Sequence, residues 1–137
     1  DDVEASETDL GRALFGADKV ADVVLAEYEG ESAGFALYFR SFSTFVGKPG
    51  IYLEDLFVHE HLRGKGIGKA LLAFLAAVAV ARGGGRLEWS VLDWNEPSLR
   101  FYRSLGAVGM DGWTVHRLAG DALRALAGSI ELEHTPI

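Results

Sequence analysis

A basic loop rich in glycine separates an apolar segment from a second, longer apolar run. Ile51–Val58 is apolar apart from Glu54 and Asp55, which is typical of a buried strand with two carboxylates trapped in it. The loop Arg63–Gly68, RGKGIG, follows it and precedes a helix-forming run. Glycine lets a ligand approach the backbone closely, and the first N–H groups of a helix have no intrahelical partner. This arrangement predicts a phosphate site at the positive end of a helix dipole.

The spacing of the glycines excludes two nucleotide-binding motifs. A dinucleotide fingerprint needs a glycine three positions after Gly66, where Lys69 stands. A P-loop needs glycine five positions before Gly68 and a hydroxyl residue after Lys69, but Arg63 and Ala70 occupy those positions. What remains is R-x-x-G-x-G between a strand and a helix. The alternative is a glycine-rich turn that binds nothing.

Composition and charge limit the possible functions. A chain of 137 residues, 49% hydrophobic and 24% charged, predicts one globular domain over residues 1–137. The sequence has no cysteine, which excludes disulfides, thiolate nucleophiles and cysteine-based zinc sites. The net charge of -7 argues against nucleic-acid binding and is compatible with a cationic substrate.

Hydropathy indicates a cytoplasmic protein with no membrane partner. The longest apolar run, Ala70–Ala81, is too short to span a bilayer. The acidic start, Asp1-Asp2-Val3-Glu4, is unlike a signal peptide. His59 and His61 flank the loop, but two histidines without a third ligand favour a surface or phosphate contact over a metal site. We therefore expect no metal.

The elements before the loop are predicted to be one helix and a hairpin. A capping box at Ser6–Asp9 starts a short helix that Gly16 ends. Two segments rich in β-forming residues, joined by Glu29-Gly30-Glu31, predict an antiparallel hairpin, and a loop follows it. The two strands and the loop are expected at Val20–Tyr28, Ala33–Arg40 and Ser41–Pro49.

The elements after the loop predict a parallel crossover. A helix over Gly68–Arg82, apolar on nearly every side and therefore buried, connects the central strand to a parallel strand. A helix capped by Asn95 comes next and ends at Gly106. The remaining elements are expected to be strand Arg86–Leu92 before that helix, then strand Trp113–Leu118 and helix Asp121–Ala127. The fold class is α/β, with a mixed central sheet whose parallel strands splay apart and with flanking helices.

Asn95 and Tyr102 form a second candidate site. They are seven residues apart, which places them on one face of the predicted helix, where they could follow an extended ligand. For Tyr102 taken alone, a half-buried aromatic with its hydroxyl in water is the simpler interpretation.

Three stretches carry a resemblance to a known family. They are YLEDLFV at Tyr52–Val58, RGKGIG at Arg63–Gly68 and DWNEPSLRFYRSLGA at Asp93–Ala107. Across Val3–Ala127 the chain resembles the GNAT superfamily of N-acetyltransferases, and within it the diamine (spermidine/spermine) N-acetyltransferases. The resemblance implies acetyl-CoA as cosubstrate, a small amine as acceptor and a homodimer. Relative to family members, the chain begins after their usual first strand and helix.

The resemblance also implies roles for individual residues. The main chain of Leu56, Phe57 and Val58 would pair with the pantetheine arm of acetyl-CoA, and Asn95 would bind the arm from the other side. Tyr102 would be the general acid. Glu54 and Asp111 correspond to carboxylates that face the substrate amine. The pyrophosphate would be held by the loop residues Arg63, Gly64, Lys65, Gly66, Ile67, Gly68 and Lys69.

These roles would support acetyl transfer to an amine. An aliphatic amine has a pKa near about 10.4, so it arrives protonated and must lose a proton before it can attack a thioester. Glu54, desolvated in an apolar strand, could accept that proton, although a salt bridge to an internal arginine is the alternative. The amide of Leu56 or Phe57 could stabilise the oxyanion if the strand bulges there.

Three functions remain open from the sequence. The leading hypothesis is acetylation of a diamine or polyamine. A second acceptor is the side-chain amine of an amino acid, thialysine-like or lysine-like. The third possibility is a CoA-binding module without catalysis, since a fold does not determine a function.

Overall fold

The computed structural model describes residues 19–43 and 47–130 of the chain. The helix predicted between Ser6 and Gly16 lies outside these ranges. A boundary between two units of the chain falls between Leu92 and Asp93. The single domain expected over residues 1–137 stays a prediction.

The first unit is built on a four-stranded sheet in the order β1-β2-β3-β4. Strands β1 (Asp22–Tyr28) and β2 (Glu31–Ser43) pair antiparallel, which confirms the predicted hairpin. Between them, Glu29 and Gly30 both have positive φ, 51° and 81°. Two successive residues of this kind form the tight turn whose twist matches that of the flanking strands.

Strand β3 (Lys48–Val58) pairs antiparallel with β2. The register joins Phe42 to Pro49, so both strands extend into the segment Ser41–Pro49 that was expected to be a loop. That prediction is wrong, because the alternation Ser41-Phe42-Ser43 continues the strand pattern of β2. The side chain of Phe42 is 64% exposed. The homodimer, expected partly from apolar surface in this segment, stays a prediction.

Helix α1 (Ile67–Ala81) follows a 3₁₀ turn at Glu60–Leu62 and the glycine loop. It packs against the sheet and buries a single stripe of residues. The prediction that it is buried on nearly every side is wrong, since Phe74 is 48% exposed and Val80 is 75% exposed. A helix against one face of a sheet can bury only the side chains that recur every three to four positions. These are Ile67, Leu71, Leu72, Leu75 and Ala79.

Strand β4 (Leu87–Glu88) is the parallel neighbour of β3, which confirms the predicted crossover through α1. It is much shorter than the expected Arg86–Leu92. Only Ile51 and Tyr52 of β3 have a register partner on β4, whereas β3 itself runs on to Val58. Main-chain pairing therefore stops before the carboxyl ends of the two strands, as expected for strands that splay apart.

The second unit contains helices α2 (Glu96–Ser104) and α3 (Gly120–Ala127). Helix α2 starts at its predicted N-cap, Asn95, and is followed by Gly106 with φ of 91°. Both helices confirm the predictions from sequence.

The strand predicted over Trp113–Leu118 is not formed. Side chains in this segment are exposed, with Trp113 at 72% and Val115 at 84%. Aromatic and β-branched residues favour a strand only where a neighbouring strand pairs with their main chain. No such pairing involves this segment in the part of the chain that the structure describes.

The architecture confirms the predicted α/β class with a mixed sheet. Strands β1, β2 and β3 are antiparallel to their neighbours, and β4 is parallel to β3. Among residues 19–43 and 47–130, no helix is both long enough and apolar enough to cross a membrane.

Candidate active site

Strand β3 contains a β-bulge at the two carboxylates that were expected to be buried. Leu37 pairs with Asp55 and Tyr38 pairs with Leu53, so Glu54 is the extra residue. Glu54 and Asp55 are both exposed. The expectation of trapped carboxylates, and of a desolvated Glu54, is wrong. The bulge interrupts the alternation of the strand and turns both side chains to solvent, which avoids the high cost of burying an unpaired charge.

The main chain of β3 is open on the side away from β2 after its last pair with β4. The N–H of His59 donates to the carbonyl of Ala33 at 2.9 Å, so the main chain of His59 faces β2. Successive residues of a strand direct their main-chain groups to opposite sides. Leu56 and Val58 therefore face the open side, whereas Phe57 faces β2. An extended ligand that carries amide groups can pair with this edge as an added strand.

Two glycines of the loop adopt a left-handed backbone. Gly64 has φ of 84° and Gly66 has φ of 81°. An L-residue pays about 1–2 kcal/mol for this conformation, so both positions require glycine although a Cβ would meet open space there. Gly68 differs, because it lies within α1 and a Cβ there would be 3.9 Å from Cγ2 of Val58, an ordinary contact.

Helix α1 begins directly after this loop with no side chain capping it. Gly66 is the N-cap residue, and the N–H of Ala70 donates to its carbonyl at 3.0 Å. The N–H groups of Ile67, Gly68 and Lys69 precede that bond and have no carbonyl one turn earlier within the helix. The first turn also contains no acidic residue. This helix end is suited to an anion such as a phosphate group.

Two basic side chains adjoin this helix end. Nε of Arg63 donates to the carbonyl of Val58 at 3.2 Å, which ties the start of the loop to the end of β3. Lys69 is exposed on the first turn of α1. Together they provide positive charge close to the free N–H groups.

The two histidines before the loop make aromatic and ionic contacts. The ring of His59 lies 5.0 Å from the ring of Phe57 and 5.9 Å from that of His61. Nε2 of His61 is 2.9 Å from Oε2 of Glu31. Within the described ranges, no three or more side chains of His, Asp or Glu are grouped so that they could hold a metal ion.

The second unit carries the other predicted site residues. Oδ1 of Asn95 accepts a hydrogen bond from the N–H of Ser98 at 3.4 Å, so capping engages the oxygen, and the side-chain NH₂ is the group that Asn95 can offer a ligand. Tyr102 is half-buried, and burial raises the pKa of its phenol above the ordinary 10.0. The phenol therefore keeps its proton at neutral pH. Asp111 is exposed in the segment after α2. The roles of Asn95, Tyr102 and Asp111 stay predictions.

The sequence of residues 3–107 matches the acetyltransferase (GNAT) family. The chain belongs to this family. An L-ornithine N5-acetyltransferase of Arabidopsis thaliana is 44% identical over 118 residues, which cover 86% of this chain and 49% of that protein. A thialysine N-epsilon-acetyltransferase of Bos taurus is 39% identical over 115 residues, covering 80% of this chain and 67% of that protein. The chain thus spans about half the length of the Arabidopsis relative.

A solved structure shares the fold. It is an integron cassette protein from the mobile metagenome of V. cholerae, with a TM-score of 0.77 and 33% identity over 90% of this chain and 78% of that one. The resemblance to the GNAT superfamily drawn from YLEDLFV, RGKGIG and DWNEPSLRFYRSLGA is confirmed.

Two contacts of this GNAT chain were not found from its sequence. Oη of Tyr52 and Oγ of Ser90 lie 2.7 Å apart, beyond the last main-chain pair of β3 and β4. Nζ of Lys65 lies 5.5 Å from the ring centroid of Tyr28, at the end of β1. Both contacts depend on the order and register of the strands. A sequence that predicts the elements without their register contains no indication of either contact.

Proposed function

We propose that the protein is an acetyl-CoA-dependent N-acetyltransferase that acetylates a primary amine of a small cationic molecule. One observation carries the proposal. The open edge of β3 from Leu53 to Val58 leads through left-handed glycines to an uncapped helix N-terminus. A ligand that suits this segment is extended, carries amides along its length and ends in a diphosphate. Acetyl-CoA has this form, and membership of the GNAT family supports the same choice.

Main-chain groups would hold most of the cosubstrate. Leu56 and Val58 face the open edge and would pair with the amides of the pantetheine arm. We assign Phe57 no such bond, because its main chain faces β2. The N–H groups from Gly64 to Lys69 would surround the pyrophosphate, and Asn95 would donate its side-chain NH₂ to the arm. Acetyl-CoA would supply an acetyl group activated as a thioester.

Glu54 and Asp55 would attract the acceptor. An aliphatic ammonium group, with a pKa near about 10.4, is the main form at neutral pH. Two adjacent exposed carboxylates create a negative potential that draws such a cation to the bulge. Because Glu54 is exposed, we place it first as the anchor of the ammonium group and then as the acceptor, directly or through water, of the proton that the amine must lose.

Two groups would manage the charge that develops during transfer. The N–H of Leu56 faces the open edge beside the bulge and could donate to the oxyanion formed from the acetyl carbonyl. The phenol of Tyr102 keeps its proton because burial raises its pKa, so it could protonate the leaving thiolate. Thiols have a pKa near about 8.5, so thiolate leaves moderately well and this proton assists the step without being essential.

The acceptor that we favour is the side-chain amine of a free amino acid. The relatives named for L-ornithine and thialysine support this choice. A diamine is the second candidate. The pair Glu54-Asp55 favours it, because two carboxylates suit a substrate with two positive charges and no negative one.

A matched pair of substrates separates the two candidates. Ornithine and 1,4-diaminobutane have the same chain of amines and differ by one carboxylate. Thiol release from acetyl-CoA would be measured with both, and with thialysine, lysine and spermidine. Faster release with ornithine or thialysine supports the amino acid, and faster release with 1,4-diaminobutane or spermidine supports the diamine. Acetyl-CoA binding without release for any amine would leave a CoA-binding module, and no binding would contradict the proposal.

A further inference from the structure

The turn between β1 and β2 contacts the glycine loop through side chains at two points. Nζ of Lys65 lies over the ring of Tyr28, 5.5 Å from its centroid. Nε2 of His61 is 2.9 Å from Oε2 of Glu31. Tyr28 is the last residue of β1 and Glu31 is the first of β2, so the two contacts straddle the turn. This hairpin turn and the carboxyl end of β3 lie at the same end of the sheet, because β2 is antiparallel to both neighbours.

Lys65 stands at the point where the loop most needs to be fixed. It lies between Gly64 and Gly66, which both have left-handed backbone conformations. Glycine has more conformations to lose than any other residue, so a loop with two of them loses much entropy when it adopts one shape. The side chain of Lys65 can limit this freedom only through what it contacts. In this structure its ammonium group contacts the ring of Tyr28.

We infer that Tyr28 and Glu31 are positioning residues that hold the glycine loop in the shape that receives the pyrophosphate of acetyl-CoA. This inference rests on the proposed function of the loop. The ring of Tyr28 acts on Lys65 through a cation–π contact, and the carboxylate of Glu31 acts on His61 through an ion pair. Neither Tyr28 nor Glu31 needs to contact acetyl-CoA. A loop that is already ordered binds its ligand more tightly, because less freedom is lost on binding.

The contact of Tyr28 is the stronger of the two and decides the test. An exposed cation–π contact corresponds to about 2- to 5-fold in an equilibrium constant. The pair of His61 and Glu31 is 62% and 54% exposed, and ion pairs at such exposure have small effects. We therefore expect Glu31→Gln to change acetyl-CoA affinity less than Tyr28→Leu.

The experiment is a double-mutant cycle on the full chain, read as the dissociation constant of acetyl-CoA. Tyr28→Leu should weaken binding by about 2- to 5-fold, and Tyr28→Phe, which keeps the ring, should bind like the parent. In a Lys65→Met background, Tyr28→Leu should have no further effect. Lys69→Met is the matched control: it also removes a positive charge beside the loop, and Tyr28→Leu should keep its full effect in that background. The KM for acetyl-CoA should rise in Tyr28→Leu while kcat holds.

Amide hydrogen exchange of residues 63–69 in the absence of any ligand gives an independent result. Exchange should be faster in Tyr28→Leu and unchanged in Tyr28→Phe, since local opening controls the rate. Equal effects of Tyr28→Leu in the parent and Lys65→Met backgrounds, or parent-like binding of Tyr28→Leu, would overturn the inference. If the parent itself does not bind acetyl-CoA, the proposed function fails. Unchanged exchange in Tyr28→Leu would then show whether the contact with the loop fails as well.

Discussion

Oη of Tyr52 and Oγ of Ser90 form a 2.7 Å hydrogen bond just after β3 and β4 stop pairing through their main chains. Tyr52 has the last register partner on β4, Glu88, and Ser90 lies two residues further on. The side chains thus join the strands where the backbones separate. This bond limits how far the open edge of β3 extends toward the start of the strand.

Removing either partner of this bond should reduce stability modestly. Tyr52→Phe and Ser90→Ala should each lower the free energy of unfolding by about 0.5–1.5 kcal/mol, measured by urea denaturation. The double variant should lose little more than the larger single loss, because both changes remove the same bond. Fully additive losses would mean that the two side chains act separately.

Substitution of Gly66 should damage the loop more than substitution of Gly68. Gly66→Ala forces an L-residue into φ of 81°, at a cost of about 1–2 kcal/mol in the ordered loop. Acetyl-CoA affinity measured by calorimetry should fall by about 5- to 30-fold. Gly68→Ala is the matched control, since it adds the same methyl group inside α1, 3.9 Å from Val58. Equal losses for the two variants would contradict the role assigned to the left-handed conformation.

The sequence predicted those elements whose chemistry is local. The Glu29-Gly30 turn, the Asn95 cap and the helix after the glycine loop each depend on residues within a few positions of one another. Their predicted places agree with the structure. Local patterns also located the segment that leads from strand to helix, which is the center of the candidate site.

Features that depend on pairing between strands were not predicted. The bulge that turns Glu54 to solvent exists because β2 and β3 differ by one residue in register. Gly34 shows the same limit, since a Cβ there would overlap the carbonyl oxygen of Phe57 on the neighbouring strand. The expected strand at Trp113–Leu118 has suitable residues but no pairing among the described ones. Composition favours a strand, but only a partner forms one.

Tyr102 should assist turnover without affecting cosubstrate binding. Tyr102→Phe removes the hydroxyl and keeps the ring, so kcat should fall by roughly 10- to 10⁴-fold, the range of general acid catalysis, while acetyl-CoA affinity holds. Burial raises the pKa of Tyr102 above 10.0, so its protonated form persists through pH 10. Any loss of parent activity from its ionisation should therefore begin only above that pH. An alkaline limb that begins well below pH 10 and disappears in Tyr102→Phe would contradict this assignment.

Glu54 should govern the binding of the amine, and its neighbour provides the control. Glu54→Gln removes a charge that attracts the ammonium group, so KM for the fastest amine of the panel should rise by about 10-fold, a moderate Coulomb effect at a partly solvated site. Asp55→Asn removes an equally exposed charge from the same bulge and should raise KM less if Glu54 is the anchor. Added salt should raise the parent KM and leave that of Glu54→Gln nearly flat, because exposed charges are screened. If Glu54 also accepts the proton, raising the pH toward 10 should restore more of the lost rate in Glu54→Gln than it adds to the parent, since the amine then loses its proton to solvent. Parallel pH profiles would leave Glu54 as an anchor alone, and equal effects of the two substitutions would assign the attraction to the carboxylate pair as a whole.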